Sequence, residues 1–208
     1  MDPPAPAAKA TWALFDFDGT ITYCDTLLPF LHFSLGPSRL TALLASCLPR
    51  LTRYLVGSSS RQEVKEALLT QAFGGCSHGD FKKLCRRFAK EKLPCYVRKK
   101  ALERLRWHSS AGHRCLLVSA NLEDYLDPWA QAHGFEQVVA SRLAEDEQGR
   151  LTGKLLGNNC RGEEKVHRLR QLMGLYGLGE ESLFFAYGDS PGDWPLLRWA
   201  DLAFYRTL

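Results

Sequence analysis

The stretch Leu14-Phe15-Asp16-Phe17-Asp18-Gly19-Thr20 places two carboxylates, one residue apart, at the end of an apolar run. At the carboxyl end of a strand the chain leaves the pleat, so that both acids can converge on one point instead of alternating across the sheet. There one aspartate can attack a phosphorus atom while the other moves a proton, and a divalent cation can offset the charge of an anionic substrate. On these residues alone, an acidic turn without chemistry is an equally good interpretation.

A second apolar run, Cys115 to Val118, ends in Ser119, Ala120 and Asn121 and is followed by a helical pattern. The Ser119 hydroxyl and the N–H groups behind it are suited to phosphoryl oxygens, because a helix start leaves N–H donors unpaired. Taken singly, Ser119 is more simply interpreted as a helix N-cap.

Lys165 lies in the first turn of a predicted amphipathic helix that buries Val166, Leu169 and Met173. A cation at a helix start opposes the helix dipole, which indicates that another interaction favours it. Neutralising a nucleophile and a phosphoryl group is one such interaction. A solvated ion pair with a neighbouring glutamate is the alternative.

A third apolar run ends in Gly188-Asp189-Ser190-Pro191-Gly192-Asp193. Hard oxygen ligands at a strand end suit Mg²⁺, which usually takes one or two protein carboxylates. Asp189 is the better direct ligand. Asp193, beyond the turn, is predicted to bind through water or to orient Lys165.

In this order DFDGT, Ser119 after a strand, Lys165 on a helix and GDSPGD resemble the four signature motifs of the haloacid dehalogenase superfamily of aspartate-nucleophile phosphatases. The resemblance covers about residues 12 to 205. Within the superfamily the chain resembles subfamily IB, the phosphoserine-phosphatase-like branch, in which a helical C1 cap follows the first motif. Asp25 and Thr26 before LLPF, and the segments VSANLEDYLDPW and NCRGEEKV, are more similar to bacterial phosphatidylglycerophosphatase C-type proteins than to phosphoserine phosphatase.

The resemblance implies that Asp16 attacks the phosphoryl group and forms an aspartyl-phosphate. Asp18 would protonate the leaving oxygen and then activate the water that hydrolyses the intermediate, while Ser119 and Lys165 hold the phosphoryl oxygens. An acid at Asp18 favours phosphate over carbon–halogen chemistry, since the dehalogenases of the family lack it.

The resemblance also implies a cofactor and a set of substrate contacts. Mg²⁺ would be held by Asp16, the backbone carbonyl of Asp18 and Asp189, with Asp193 as a further metal-site residue. The residues expected to bind substrate are Gly19, Thr20, Asp25, Ala120 and Asn121. Asp25, Ala120 and Asn121 differ from the glutamate and the two glycine-like positions of phosphoserine phosphatases, which weakens the phosphoserine assignment. Asp25 is equally well interpreted as a contact to the leaving group or as a cap of the next helix.

The order of apolar runs and helical patterns predicts an α/β fold with a doubly wound parallel sheet, of the Rossmann-like haloacid dehalogenase type, whose ligand site lies beyond the carboxyl ends of the strands. The predicted strands are 12–17, 115–118, 137–140, 183–187 and 202–205. Residues 141–159 are predicted to form a small hairpin. We expect a core domain from residues 10–24 and 95–208, an inserted helical cap from 25–94, and a flexible tail from 1–9.

Composition agrees with a single core and a small accessory unit, since the chain has 208 residues and a net charge of +4. The seven cysteines form no CxxC pair and are predicted to be buried thiols of a reducing compartment. The start of the chain does not resemble a signal peptide, so we expect a cytoplasmic protein. The small charge and the lack of a nucleic-acid motif argue against a nucleic-acid partner.

Two segments of the predicted cap leave membrane contact open. Leu27 to Val56 is strongly apolar but interrupted by prolines and arginines, and is either a buried helix pair or a segment that dips into a membrane surface. The helix around Phe81, Leu84, Cys85 and Phe88 carries a basic face formed by Lys82, Lys83, Arg86, Arg87 and Lys90. That face is either merely solvated or attracts anionic lipid headgroups, which would make the protein peripheral to the inner membrane.

The sequence therefore predicts a Mg²⁺-dependent phosphomonoester hydrolase acting on a phosphorylated small metabolite or on a lipid headgroup phosphate. The alternative is a catalytically silent protein of the same fold that binds membrane surfaces through its basic cap. The sequence indicates no oligomeric state.

Overall fold

The structure of the chain is a computed structural model that describes residues 10–175 and 182–208. The predicted tail, residues 1–9, lies outside the described residues. The helices within these ranges are α1 (Leu27–Leu55), α2 (Arg61–Phe73), α3 (His78–Glu91), α4 (Lys99–Ser110), α5 (Glu123–Ala132), α6 (Glu163–Leu175) and α7 (Trp194–Trp199). The strands are β1 (Thr11–Phe15), β2 (Arg114–Leu122), β3 (Gln137–Ser141), β4 (Leu143–Glu145), β5 (Leu151–Leu155), β6 (Leu183–Gly188) and β7 (Leu202–Tyr205).

Five strands form one parallel sheet in the order β3-β2-β1-β6-β7. The chain builds outward from β1 in one direction and then in the other, so the predicted doubly wound sheet is confirmed. β1 is buried on both faces, as a continuous apolar run in a parallel sheet should be. Trp12 and Leu14 pack into one apolar core, and Ala13 and Phe15 into the other.

The register of β1 places three strand ends at one edge of the sheet. Phe15 lies opposite Leu117 of β2 and Tyr187 of β6, so Asp16, the residues after Leu117 in β2 and the residues after Tyr187 in β6 lie side by side. β1 ends two residues earlier than predicted, because the chain turns after Asp16 and the N–H of Ile21 bonds back to the carbonyl of Phe17. β2 is longer than predicted and runs to Leu122.

Helices α1, α2 and α3 lie in the chain between β1 and β2, where the sequence predicted a cap. The division of the chain into core and cap remains a prediction. α1 is broken at Gly36, whose φ of 74° and ψ of 169° are not helical. Its sequence therefore forms a helix pair with one buried side, and Leu55 and Val56 at its end are exposed. Among the described residues no helix is both long and apolar enough to cross a membrane.

The remaining elements agree with the sequence pattern. α3 buries Phe81, Cys85 and Phe88 and exposes the basic side chains on its other face. β4 and β5 form the predicted antiparallel hairpin. α2 packs so closely on β5 that a Cβ at Gly153 would lie 2.2 Å from the Cα of Thr70.

All seven cysteines are free thiols, as predicted. Their predicted burial is correct for Cys47, Cys85, Cys115 and Cys160 but wrong for Cys24 and Cys95, which are exposed. Cys24 follows the turn after the first motif and Cys95 lies in the 3₁₀ turn Leu93–Tyr96. Both thus belong to connections, which run over the surface of a protein.

His108 of α4 is a buried histidine that bears on stability. Its Nε2 lies 2.9 Å from the hydroxyl of Tyr187 and its Nδ1 lies 2.8 Å from Nδ1 of His113. Burial, together with the charges of His113 and Arg104, lowers the pKa of His108 to about 4. At a pH between about 4 and the ordinary pKa of 6.5, this histidine binds a proton in the unfolded chain but not in the folded protein. Acid therefore destabilises the fold through this residue.

We expect His108→Leu to remove this acid sensitivity. The free energy of unfolding of the original protein minus that of the variant should be about 2 kcal/mol smaller at pH 5 than at pH 7.5. Urea unfolding at both pH values measures it, with the exposed His32→Leu as the control. Equal differences at the two pH values would show that His108 is protonated in the folded state.

Candidate active site

The edge where β1, β2 and β6 end forms a cleft, which we call the reaction cleft. Asp16 follows β1, Ser119 lies near the end of β2, Asp189 follows β6, and α6 supplies Lys165. All four line one cavity of about 370 Å³, together with Asp18. The structure therefore brings together groups from four distant parts of the chain, as the motifs predicted.

Lys165 is held between two carboxylates. Its Nζ donates at 2.6 Å to Oδ1 of Asp16 and at 2.6 Å to Oδ1 of Asp193, and all three residues are buried. Burial alone would lower the pKa of Lys165, but the two negative charges outweigh it and raise that pKa above its ordinary value. The alternative interpretation, a solvated pair with a neighbouring glutamate, is wrong. Glu164 pairs with Arg168 instead.

Asp193 is fixed on both of its oxygens. While Oδ1 accepts from Lys165, Oδ2 accepts from the backbone N–H of Ser190 at 3.0 Å and from its hydroxyl at 2.8 Å. Burial alone would raise the pKa of Asp193, but Lys165 and these hydrogen bonds outweigh burial and hold that pKa below its ordinary value. A Cβ at Gly188 would lie 2.6 Å from the Cβ of Asp193, so glycine is required there. Asp193 is arranged to orient Lys165.

Asp16, Asp189 and Asp193 form an acidic cluster in which one carboxylate oxygen from each residue lies within 4.8 Å of the other two. Oδ1 of Asp189 is buried and has no hydrogen-bond partner among the described residues. Gly19 borders this cluster, with a φ of 81°, and a Cβ there would lie 2.2 Å from Oδ2 of Asp189. Gly19 thus lines the cleft and makes room for the carboxylate of Asp189.

The pKa of Asp16 is raised to about 6, mainly by burial. The positive charge of Lys165 lowers this pKa and the negative charge of Asp193 raises it. Without a further cation this cluster holds more negative charge than the single ammonium offsets. Hard oxygen donors gathered in this way suit Mg²⁺.

Asp18 is held in one orientation by three hydrogen bonds. Its Oδ1 accepts from the N–H of Thr26 at 2.8 Å and from the Thr26 hydroxyl at 2.6 Å, and its Oδ2 accepts from the amide of Asn121 at 2.7 Å. Burial, then the negative charges of Asp25 and Asp16, raise the pKa of Asp18 to about 7. A carboxyl with this pKa can carry a proton at neutral pH and give it up.

The second motif has a different geometry from the helix start that its sequence suggested. Ser119 lies inside β2, and α5 begins only at Glu123, so the N-cap interpretation of Ser119 is wrong. Its hydroxyl accepts from the N–H of Asn121 at 3.0 Å. Ser119 and Ala120 line the reaction cleft.

Three residues expected to bind substrate differ in where they lie. Asn121 does not line the reaction cleft but lines a second cavity beside Asp18, and its side chain holds Asp18 and bonds to the N–H of Leu122. Thr20 is buried and is not among the residues that line the cleft. Asp25 lies at the exposed rim of the cleft, and its Oδ1 also accepts from the N–H of Leu27 in the first turn of α1. Both interpretations of Asp25 are therefore compatible with its position.

Two residues near Asp18, Thr26 and Tyr125, were not predicted from the sequence to belong to the site. Thr26 supplies two of the hydrogen bonds to Asp18, and its hydroxyl lies 3.1 Å from that of Tyr125. A signal existed for Thr26, since it is a hydroxyl residue directly before an apolar helix. Tyr125 lies 99 positions away, and no local pattern connects it to this site.

Comparison with known proteins places the chain among hydrolases. A family model described as haloacid dehalogenase-like hydrolase matches residues 13–198. Protein CicA of Caulobacter vibrioides is 34% identical over 192 residues, which cover 92% of this chain and 84% of CicA.

Two solved structures are similar in fold. A protein with unknown function from Bordetella pertussis Tohama I has a TM-score of 0.78 and 25% identity, over 91% of this chain and 86% of that one. A substrate-bound phosphoserine phosphatase complex has a TM-score of 0.64 and 17% identity, over 96% of this chain and 87% of that one. The latter likeness concerns the fold alone.

Proposed function

The chain belongs to the haloacid dehalogenase-like hydrolase family, and from this premise we propose that it is a Mg²⁺-dependent phosphomonoester hydrolase with Asp16 as its nucleophile. The observation that carries the proposal is the ammonium of Lys165, buried between Asp16 and Asp193 beside a third carboxylate, Asp189. A buried ion cluster is costly to maintain, and its arrangement at the strand ends suits phosphoryl transfer.

The residues divide the reaction into two steps. In the first, an oxygen of Asp16 attacks phosphorus, the bond to the leaving oxygen breaks, and Asp18 gives that oxygen its proton. In the second, Asp18 takes a proton from a water molecule, which attacks phosphorus and releases phosphate and the free Asp16 carboxylate. Lys165 and Ser119 stabilise the charge that develops on the phosphoryl oxygens.

The acidic cluster fits Mg²⁺, because it gathers hard oxygen donors and includes the unpartnered Oδ1 of Asp189. Asp16 and Asp189 would hold the ion with the backbone carbonyl of Asp18, and Asp193 would keep Lys165 in place. When bound, the ion supplies positive charge that offsets the negative charge of nucleophile and substrate.

The substrate is a phosphorylated metabolite or a lipid headgroup phosphate, enclosed under α1 and α2. The alternative is a silent protein that binds membranes through the basic face of α3. It does not explain why the chain maintains a buried ion cluster that is costly in free energy. Hydrolysis of a simple ester decides between the two.

We expect measurable hydrolysis of p-nitrophenyl phosphate in the presence of Mg²⁺, because the cluster needs a second cation before it can receive an anionic ester. Excess EDTA should reduce the rate to background, and added Mg²⁺ should restore it. A rate that is the same with and without EDTA would contradict the metal requirement, and no hydrolysis under any condition would favour the silent protein.

Asp18→Asn is expected to lower kcat by roughly 10²- to 10⁴-fold, since the amide can neither give nor take the proton. The loss in kcat/KM, which reports the first step alone, should be larger for an alkyl phosphate than for p-nitrophenyl phosphate, whose leaving group departs without protonation. Steady-state kinetics on both esters tests this. Equal losses in kcat/KM on the two esters would argue against Asp18 as the acid.

A further inference from the structure

A second cavity opens beside Asp18, and we call it the leaving-group cavity. It has a volume of about 350 Å³. Five of its lining side chains are mainly apolar: Leu27, Leu51, Tyr54, Val64 and Leu68. They come from α1 and α2, so the predicted cap forms one whole wall.

The position of Asp18 assigns a role to this cavity. Asp18 lines both the leaving-group cavity and the reaction cleft. If Asp18 protonates the leaving oxygen, as the proposed function requires, the group attached to that oxygen extends away from phosphorus on the Asp18 side. The alcohol part of the substrate therefore occupies this cavity.

Lys65 of α2 places a cation in the same wall. Arg61 and Arg161 line both cavities, whereas Lys65 lines the leaving-group cavity and not the reaction cleft. Its charge is therefore placed for the alcohol and not for the phosphoryl group. Burial lowers the pKa of Lys65 to about 8, against the opposing charges of Asp18 and Asp25, so it remains mostly protonated at neutral pH.

The hydrogen bonds of Lys65 leave it one donor. Its Nζ donates at 2.5 Å to the carbonyl of Ala120 and at 3.2 Å to Oδ1 of Asn159. An ammonium has three N–H donors, and among the described residues these two atoms are the acceptors it reaches. The two contacts fix the ammonium at the cavity wall, and the third N–H is available to a ligand.

We infer that the leaving group is an alcohol with an apolar body and an anionic substituent, and that Lys65 selects this substituent. The inference rests on the proposed function and specifies its substrate class. An apolar alcohol without the anion would use the wall of α1 and α2 but leave the ammonium unpaired. The carboxylates of Asp18 and Asp25 also line the cavity, but the three cations Lys65, Arg61 and Arg161 outnumber them, so an alcohol that ends in a cation would be disfavoured.

The test compares three phosphate monoesters of equal length: hexyl phosphate, ω-aminohexyl phosphate and the phosphate of ω-hydroxyhexanoate. We expect kcat/KM to be about tenfold higher for the carboxylate than for hexyl phosphate, the effect of one charge-assisted hydrogen bond, and lowest for the amine. In Lys65→Met the carboxylate and hexyl esters should become nearly equal. Lys90→Met, which removes an exposed lysine of α3, should keep the tenfold preference.

A second variant guards against misfolding. Lys65→Gln keeps N–H donors for Ala120 and Asn159 but has no charge, and it should lose the preference as Lys65→Met does. The ratio between two esters is the decisive quantity, because a purely structural role would lower both rates together. A tenfold preference that survives in either variant would overturn the inference.

The apolar wall has its own test. Lengthening ethyl phosphate to hexyl phosphate should raise kcat/KM several-fold through apolar burial, and Leu68→Asn should weaken that gain. Equal kcat/KM for the two chain lengths, or for the three hexyl esters, with p-nitrophenyl phosphate still hydrolysed, would overturn this inference alone. Failure to hydrolyse any ester, p-nitrophenyl phosphate included, would overturn the proposed function with it.

Discussion

Asp16→Asn is expected to abolish phosphomonoester hydrolysis, with a fall in kcat on the order of 10⁴-fold or more. The amide cannot form the aspartyl-phosphate, so the reaction loses its covalent route and not merely a stabilising contact. Lys165 keeps its hydrogen bond to Asp193 in this variant, which should preserve the local arrangement.

The measurement is kcat for p-nitrophenyl phosphate with Mg²⁺, after urea unfolding has shown that the variant is folded. Asp80→Asn is a suitable control, since Asp80 forms an exposed ion pair with Lys83 and lines neither the reaction cleft nor the leaving-group cavity. We expect the control to retain its rate. A folded Asp16→Asn protein with substantial activity would rule out Asp16 as the nucleophile.

Lys165→Met is expected to impair both catalysis and folding. The change leaves the carboxylates of Asp16 and Asp193 buried without their shared cation, and breaking a buried pair in this way costs about 3–5 kcal/mol of unfolding free energy. In the folded variant the pKa values of these acids should rise, whereas in the unfolded chain they stay near 4. The loss of stability should accordingly be larger at pH 8 than at pH 5.

Urea unfolding at the two pH values measures this, and kcat for p-nitrophenyl phosphate should fall together with stability. Lys83→Met removes the cation of an exposed pair and should change the free energy of unfolding far less than Lys165→Met does. If Lys165→Met were as mild as Lys83→Met, the pair of carboxylates would not depend on Lys165 for its charge balance.

The sequence was sufficient to predict the centre of the site, because parallel strands end at a common edge. An apolar run followed by an acid, found at Asp16 and again at Asp189, therefore predicts that these acids meet. Lys165 was predictable for a related reason, since a lysine at a helix start is unfavourable unless anions surround it.

The surroundings of these groups were not predictable, because they depend on tertiary contacts. The amide of Asn121 bonds to Asp18, which lies 103 positions earlier in the chain, and no local pattern predicts that contact. The bond from Lys65 to Ala120 likewise depends on how α2 lies on the strand ends. Thr20 follows Gly19 in a motif with an acidic and a hydroxyl residue, but the turn directs it into the interior.

The boundaries of β1 and β2 illustrate a second limit of sequence patterns. Phe17 continues the apolar alternation of β1, so the pattern predicts that the strand includes it. The N–H of Asp16 still bonds to the carbonyl of Tyr187 in β6, but from Phe17 onward the backbone turns and bonds to itself, which leaves the Asp16 side chain facing the cleft.

The covalent role of Asp16 is tested most directly by mass spectrometry of protein quenched in acid during turnover of p-nitrophenyl phosphate with Mg²⁺. The Asp18→Asn variant is the best sample, because slow hydrolysis of the intermediate allows it to accumulate. We predict a phosphoryl group on the peptide that carries Asp16, absent when EDTA is present. A phosphoryl group on any other residue would contradict the mechanism.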